Sequence, residues 1–379
     1  MSISSDIRDC ALSLGYDRVG FTSAERFTLY EEELRRRHDM YSWATGHDWG
    51  LIQGADPKNV LPEARSVVVT VFDYLKHSYP AEMVGKVGRA YQSLGGVPPI
   101  AIHRARYRLL REFLEKRGCK VGRAGFDLPA RLAAARAGLT DCGKNTFGFA
   151  SGIGSFVVIS TLVIDKELDY GAPTLEVKCP ENCTLCLDAC PTGALYEPLM
   201  MNPRLCIAYN SYNAPGSWFG GTQEVLPTNI RERMGTWIYG CDVCQEVCPR
   251  NKPRLMTKLP PNAYLQHIAR DFRLQDLVLM SDDHFIRLST LLNYVDNKRY
   301  LQRNAAVALG NAGDTEAVPV LARAMQGPDE VLRGHAAWAL GKIGGPRARR
   351  TLEDNLSRET SEYVRGEIRD ALARQQVAS

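Results

Sequence analysis

The chain has 379 residues, and its 47 Lys and Arg against 43 Asp and Glu leave a formal charge of +4, too small to announce a polyanion-binding protein. Apolar residues make up 45% and charged ones 24%, with ordinary Gly and Pro contents. Such a composition excludes a disordered or collagen-like chain and predicts a globular protein with two or three cores.

In chain order, a capped amphipathic helix is expected over residues 4–14 and a charged helical stretch over 25–37. The β-branched run Ser66-Val-Val-Val-Thr-Val-Phe predicts a buried strand. Tyr107, Leu110, Phe113 and Leu114 recur at helical spacing within 103–117, and 155–164 reads as another central strand. These two apolar runs fall short of the roughly 18–20 residues of a membrane span. Asp6, Arg8 and Asp9 occupy the place where a signal peptide needs its apolar core, so a cytoplasmic location without membrane association is expected. From about residue 170 to 252, prolines, glycines and cysteines replace periodic segments, as where ligands order the backbone. Farther on, Ala305-Ala-Val-Ala-Leu-Gly310 recurs as Ala336-Ala-Trp-Ala-Leu-Gly341, 31 residues later, which predicts a helical-repeat module of HEAT type. The expected organisation is mixed α/β over 1–168, a ferredoxin-like region over 169–255, a helical connector over 256–297 and HEAT-like repeats over 298–379.

Eleven cysteines in a reducing compartment argue for metal or redox work rather than disulfides. Eight lie within seventy residues: Cys179, Cys183, Cys186, Cys190, Cys206, Cys241, Cys244 and Cys248. Cys183-x2-Cys186-x3-Cys190-Pro191 and Cys241-x2-Cys244-x3-Cys248-Pro249 each approach the bacterial ferredoxin run, and eight thiolates suffice for two [4Fe-4S] clusters. Crossed ligation assigns Cys179, Cys183, Cys186 and Cys248 to one cluster and Cys190, Cys206, Cys241 and Cys244 to the other. Structural zinc is the alternative for paired Cys-x2-Cys elements, but it rarely needs the repeated Cys-Pro. One irregularity stands out: three residues separate Cys179 from Cys183 where two are usual, so this ligand loop must bulge near Pro180.

Several ordered motifs resemble the epoxyqueuosine reductases, cobalamin-dependent iron–sulfur enzymes related to reductive dehalogenases. They are Ala55-Asp-Pro-Lys-Asn-Val-Leu-Pro-Glu-Ala-Arg-Ser-Val-Val-Val, Arg136-Ala-Gly-Leu, Gly143-Lys-Asn-Thr146, Cys186-Leu-Asp-Ala-Cys-Pro-Thr-Gly-Ala194, Arg204-Leu-Cys-Ile-Ala-Tyr209, Tyr239-Gly-Cys-Asp-Val-Cys-Gln245 and Arg303-Asn-Ala-Ala-Val-Ala-Leu-Gly-Asn311. The resemblance implies a nitroreductase-like cobalamin-binding domain, a two-cluster domain beneath the corrin and a repeat domain that helps hold tRNA. It further implies an external electron donor such as flavodoxin or ferredoxin. The implied reaction removes the epoxide oxygen of epoxyqueuosine at the tRNA wobble position to give queuosine, with a low-valent cobalt charged through the clusters and a protein acid serving the departing oxygen. No Asp-x-His-x-x-Gly cobalt-ligand motif is present; Asp282-Asp-His284 lacks the glycine.

The chain departs from the family pattern near the expected pocket. Counting back without a gap from Arg136, the family's proton-donating Asp falls on Ala124, and Asp127 takes its place only if the alignment slips. Tyr107, by its place in the motif, and Asp141 are further candidate proton donors, while Cys142, Gly143, Lys144, Asn145 and Ser155 are expected near the corrin. Two outcomes stay open: retained chemistry on tRNA, or a pocket rebuilt for another substrate, organohalide-like, or for a corrinoid-binding, electron-transferring or corrinoid-reducing task. From Arg303 onward eleven basic residues alternate with ten acidic ones. Only Arg347, Arg349 and Arg350 concentrate positive charge, and with Arg303 they are the candidate tRNA contacts.

Overall fold

The computed structural model describes residues 2–45, 51–91, 103–122, 128–212, 223–289, 291–292 and 294–377. Its N-terminal region is built on three antiparallel strands: β1 (Arg18–Ser23), β2 (Ser66–Asp73) and, from farther along the chain, β5 (Val157–Ile164), in the order β1-β2-β5. All eight residues of β2 are buried, as its unbroken apolar run predicts for a central strand. The two-residue period sends Val68 and Phe72 to one face and Val67 and Val69 to the other. On the first face lie α1 (Ile3–Ser13) and the helix His103–Lys116, whose Ile7, Ala11, Leu110 and Leu114 are fully buried. The second face is covered by the helix Ala130–Arg136 through Ala133 and Ala134. The first helix is capped by Ser2, whose Oγ accepts the Ser5 N–H, two residues earlier than expected.

The cysteine-rich region holds only short elements. One-turn helices, Leu185–Asp188 and Val243–Glu246, sit in matching positions of the two cysteine runs. The repeat helices follow: Lys298–Ala312, Val318–Ala324, Glu330–Ile343, Gly345–Leu356 and Glu362–Val377. The repeated Ala-Ala-x-Ala-Leu-Gly motif has a packing cause. A Cβ on Gly310 would lie 2.8 Å from Ala339 Cα, and one on Gly341 would lie 2.7 Å from Ala371 Cα, so each glycine lets the second helix after its own approach. The expected boundaries near 255 and 297 do not divide the core. Ile207, Ile238 and Tyr239 of the cysteine-rich region, Phe272 and Leu277 of the connector and Leu309 and Trp338 of the repeats share one apolar cluster. Among the described residues no helix is long and apolar enough to cross a membrane.

Candidate metal centre and the hairpin that clamps it

Between the two cysteine runs and the sheet sits a hairpin of β3 (Asp141–Cys142) and β4 (Gly148–Phe149). Gly143 is required there, because a Cβ would come 2.3 Å from the Phe149 ring, and Thr146 takes the left-handed conformation at φ 70°. That tight turn sends the next two side chains into the cysteine loops. Lys144 Nζ donates to the carbonyls of Pro180, Glu181 and Cys183 at 2.9, 2.6 and 3.0 Å. Asn145 Nδ2 donates to the Cys244 carbonyl at 3.1 Å. Ser155, just before β5, donates to Gln245 Oε1 at 2.9 Å and accepts from Asn251 Nδ2 at 2.8 Å. Lys144, Asn145 and Ser155, expected to face the corrin, therefore fasten both cysteine loops to the N-terminal region.

Asp141, a candidate proton donor, is buried and ion-paired with Arg250 through both oxygens, at 2.7 and 2.8 Å. It serves as an anchor for the chain just beyond Cys248. Arg250 also stacks on Phe149, 4.1 Å from its centroid, and makes a side-chain contact to Cys179. Tyr107 lies on the sheet face opposite the Ala130–Arg136 helix and donates its hydroxyl to the Thr161 carbonyl at 3.0 Å. A phenol so engaged is part of the packing between helix and strand. Asp127 and Ala124 lie outside the described residues.

The thiols gather in two sets. Cys179, Cys183, Cys186 and Cys248 line one cavity together with Lys144, Phe149 and Leu185. Cys190, Cys206, Cys241 and Cys244 lie near one another on the protein-ward side. Burial pushes the Cys186 thiol up to about 11 and raises Cys206, Cys241 and Cys244 as well. Four thiols brought together in each set, some of them buried, hold charge there only against a cationic partner, so the donor chemistry fits iron–sulfur clusters.

Sequence reasoning missed a group of side chains beside the second set. Arg131 is solvent-accessible yet surrounded by protein, with Tyr30, Tyr41, Cys142 and Cys244 as neighbours. Its Nη1 donates to the Thr146 carbonyl at 2.7 Å, and its guanidinium lies over Phe147. Tyr41 anchors its helix on the Met201 carbonyl at 2.8 Å. Only the tertiary structure assembles this group, since its members come from five separate segments. His284, of the incomplete cobalt-ligand motif, is bonded to the Asp271 carbonyl in the connector.

The repeat domain corrects a further expectation. Arg303 has no exposed surface and cannot touch tRNA; it bonds the carbonyls of Gln223, Glu224 and Asn210. Arg347 and Arg350 are exposed near the start of the Gly345–Leu356 helix, and Arg349 is paired with Glu353 at 2.9 Å.

Residues 178–251 match the 4Fe-4S double cluster binding domain and residues 288–373 match HEAT repeats. Fold and site together define an iron–sulfur oxidoreductase whose clusters lie between a mixed α/β region and a helical-repeat tail. The epoxyqueuosine reductase of Bacillus subtilis (strain 168) is 30% identical over 375 residues, 97% of this chain and 94% of the relative. That of Escherichia coli (strain K12) is 28% identical over 360 residues, 90% and 89% of the two chains. A crystal structure of epoxyqueuosine reductase with an epoxyqueuosine-modified tRNA-Tyr stem loop superposes with a TM-score of 0.81 at 28% identity, covering 98% of each chain. The chain belongs to the epoxyqueuosine reductase family.

Proposed function

We propose that this chain reduces epoxyqueuosine to queuosine in tRNA, with two [4Fe-4S] clusters and cobalamin. The observation that carries this reading is the agreement along 98% of the chain with a reductase solved on an epoxyqueuosine-modified stem loop, joined to two sets of four thiols in the matching cluster domain. The reaction takes up two electrons and two protons; the epoxide oxygen leaves as water and a carbon–carbon double bond forms. Cys179, Cys183, Cys186 and Cys248 are assigned to one cluster, and Cys190, Cys206, Cys241 and Cys244 to the other. Cobalamin, when bound, supplies a low-valent cobalt as reductant. The side chains around Arg131 fit such a group: its guanidinium offers a cation, and Tyr30, Tyr41 and Cys244 of the second set lie near it. Asp127 is the proton donor of choice, since Asp141 is held by Arg250 and Tyr107 by a backbone carbonyl. Electrons come from an external carrier such as flavodoxin or ferredoxin.

The test is anaerobic reduction of epoxyqueuosine in tRNA, followed by nucleoside mass spectrometry. Asp127→Asn is expected to lower turnover by about 10²-fold or more, whereas Asp141→Asn keeps it within several-fold. No conversion by protein loaded with iron and cobalamin overturns the tRNA reading and moves the search to organohalides and corrinoid proteins. Exposed Arg347 and Arg350, with Arg349, are proposed as phosphate contacts. Changing all three to Ala should flatten the logarithmic salt dependence of tRNA binding by roughly 2 units. An unchanged slope would remove them from the interface.

A further inference from the structure

The irregular spacing before Cys183 finds its cause in Lys144. Pro180, Glu181 and Asn182 fill the lengthened interval, and the loop turns back on itself through the Cys183 N–H to Pro180 carbonyl bond at 3.1 Å. Three carbonyls of this bulge, those of Pro180, Glu181 and Cys183, converge on one ammonium, which has three donors to give. Lys144 is 8% exposed, lines the same cavity as the four thiols, and has no carboxylate partner among the described residues. Arg250, the cation that contacts Cys179, is already balanced by Asp141. The positive charge of Lys144 is therefore buried without a counter-ion from the protein, a costly arrangement unless an anion faces it. A [4Fe-4S] core on four thiolates is such an anion, with a net charge of about −2 that becomes more negative by one on reduction.

The second set of thiols has a different balance, in which the cation of Arg131 near Cys244 is offset by carboxylates. Asp242 is buried beside Cys241, and Arg89 is shared between Asp242 and Glu246, two carboxylates against one guanidinium. Nearby positive charge stabilises the reduced cluster and negative charge opposes it. We propose that Lys144 sets the potential of the cluster held by Cys179, Cys183, Cys186 and Cys248, making it the more easily reduced of the two and the site where an incoming electron rests. In that step the external carrier is oxidised by one electron and the cluster passes from its 2+ to its 1+ core, with no proton moved. The exposed course of residues 180–182 suits this cluster to receive the electron, while Arg131 adjoins the other. The assignment rests on the two-cluster reading and deepens it.

The test is a potentiometric titration of the reconstituted protein, without tRNA, monitored by electron paramagnetic resonance. Two one-electron midpoints are expected. Lys144→Met should lower the higher one so that the reduced-to-oxidised ratio at the original midpoint falls about tenfold, equivalent to 59 mV, with the lower one unmoved and Lys144→Arg close to the parent. A separate arm, Cys186→Ala, should delete the higher-potential signal and leave the other; it decides the matter if Lys144→Met fails to retain its iron. Loss of the lower signal in Cys186→Ala, or unchanged midpoints in a fully loaded Lys144→Met, overturns the proposal. Neither readout uses the epoxide, so failure here is separable from failure of the nucleoside assay.

Discussion

Cys244→Ala is expected to leave about four irons per chain instead of about eight and to abolish turnover. Cys244 stands inside a one-turn helix, Val243–Glu246, that has no apolar face long enough to hold itself. Its backbone is fixed by Asn145 at the Cys244 carbonyl, and Gln245 behind it is fixed by Ser155. These clamps keep the loop in place, so the other cluster should survive the substitution. Cys10→Ala is the control: Cys10 lies on α1 against the first core cluster, and its loss should keep the full iron content. Iron and acid-labile sulfide analysis checks both. A Cys244→Ala protein with eight irons would remove Cys244 from the ligand set.

Arg303→Met should destabilise the protein by about 3 kcal/mol and leave the salt dependence of tRNA binding unchanged. The guanidinium is fully buried, stacks over Tyr300 at 4.9 Å, and bonds carbonyls from 210, 223 and 224, on both sides of a stretch preceding the second cysteine loop. Burial draws its pKa down to about 10. It remains charged at neutral pH, so the substitution removes a cation whose hydrogen bonds satisfy the buried Asn210 carbonyl and the more exposed Gln223 and Glu224 carbonyls, a buried one costing about 1–3 kcal/mol when orphaned. Asn304 continues the same seam, donating to the Ser211 and Ile238 carbonyls at 2.7 and 2.8 Å. Thermal unfolding against a parallel salt titration of tRNA binding separates the two roles. A flattened salt slope with unchanged stability would restore Arg303 to the RNA interface.

Much of the architecture was legible because it depends on local pattern. The unbroken β-branched run over 66–72 could bury both faces only at the centre of a sheet, and β2 is central. The recurring motif of the tail announced helical repeats, and its Gly310 and Gly341 stand where the repeat helices touch. The cysteine spacing named the cluster chemistry because ligands three residues apart reach one metal group whatever surrounds them. Harder to foresee was the boundary between regions, since one apolar cluster runs from Met83 to Ala371 across all four expected regions.

Side-chain roles on the hairpin were not legible for a different reason. Lys144 and Asn145 meet partners 36 to 99 residues away in sequence, and nothing in Gly143-Lys-Asn states whether its donors face a ligand or a neighbouring loop. Arg303 has the same ambiguity: a charged residue in a helix reads as solvated until the helix proves buried on every side. The sequence by itself determined the two long apolar strands, the helical repeats and the eight thiols with their chemistry, because period and spacing are properties of short segments. Only the tertiary structure decided which charges are structural and which are free, because burial and hydrogen-bond partnership depend on segments brought together by the whole fold.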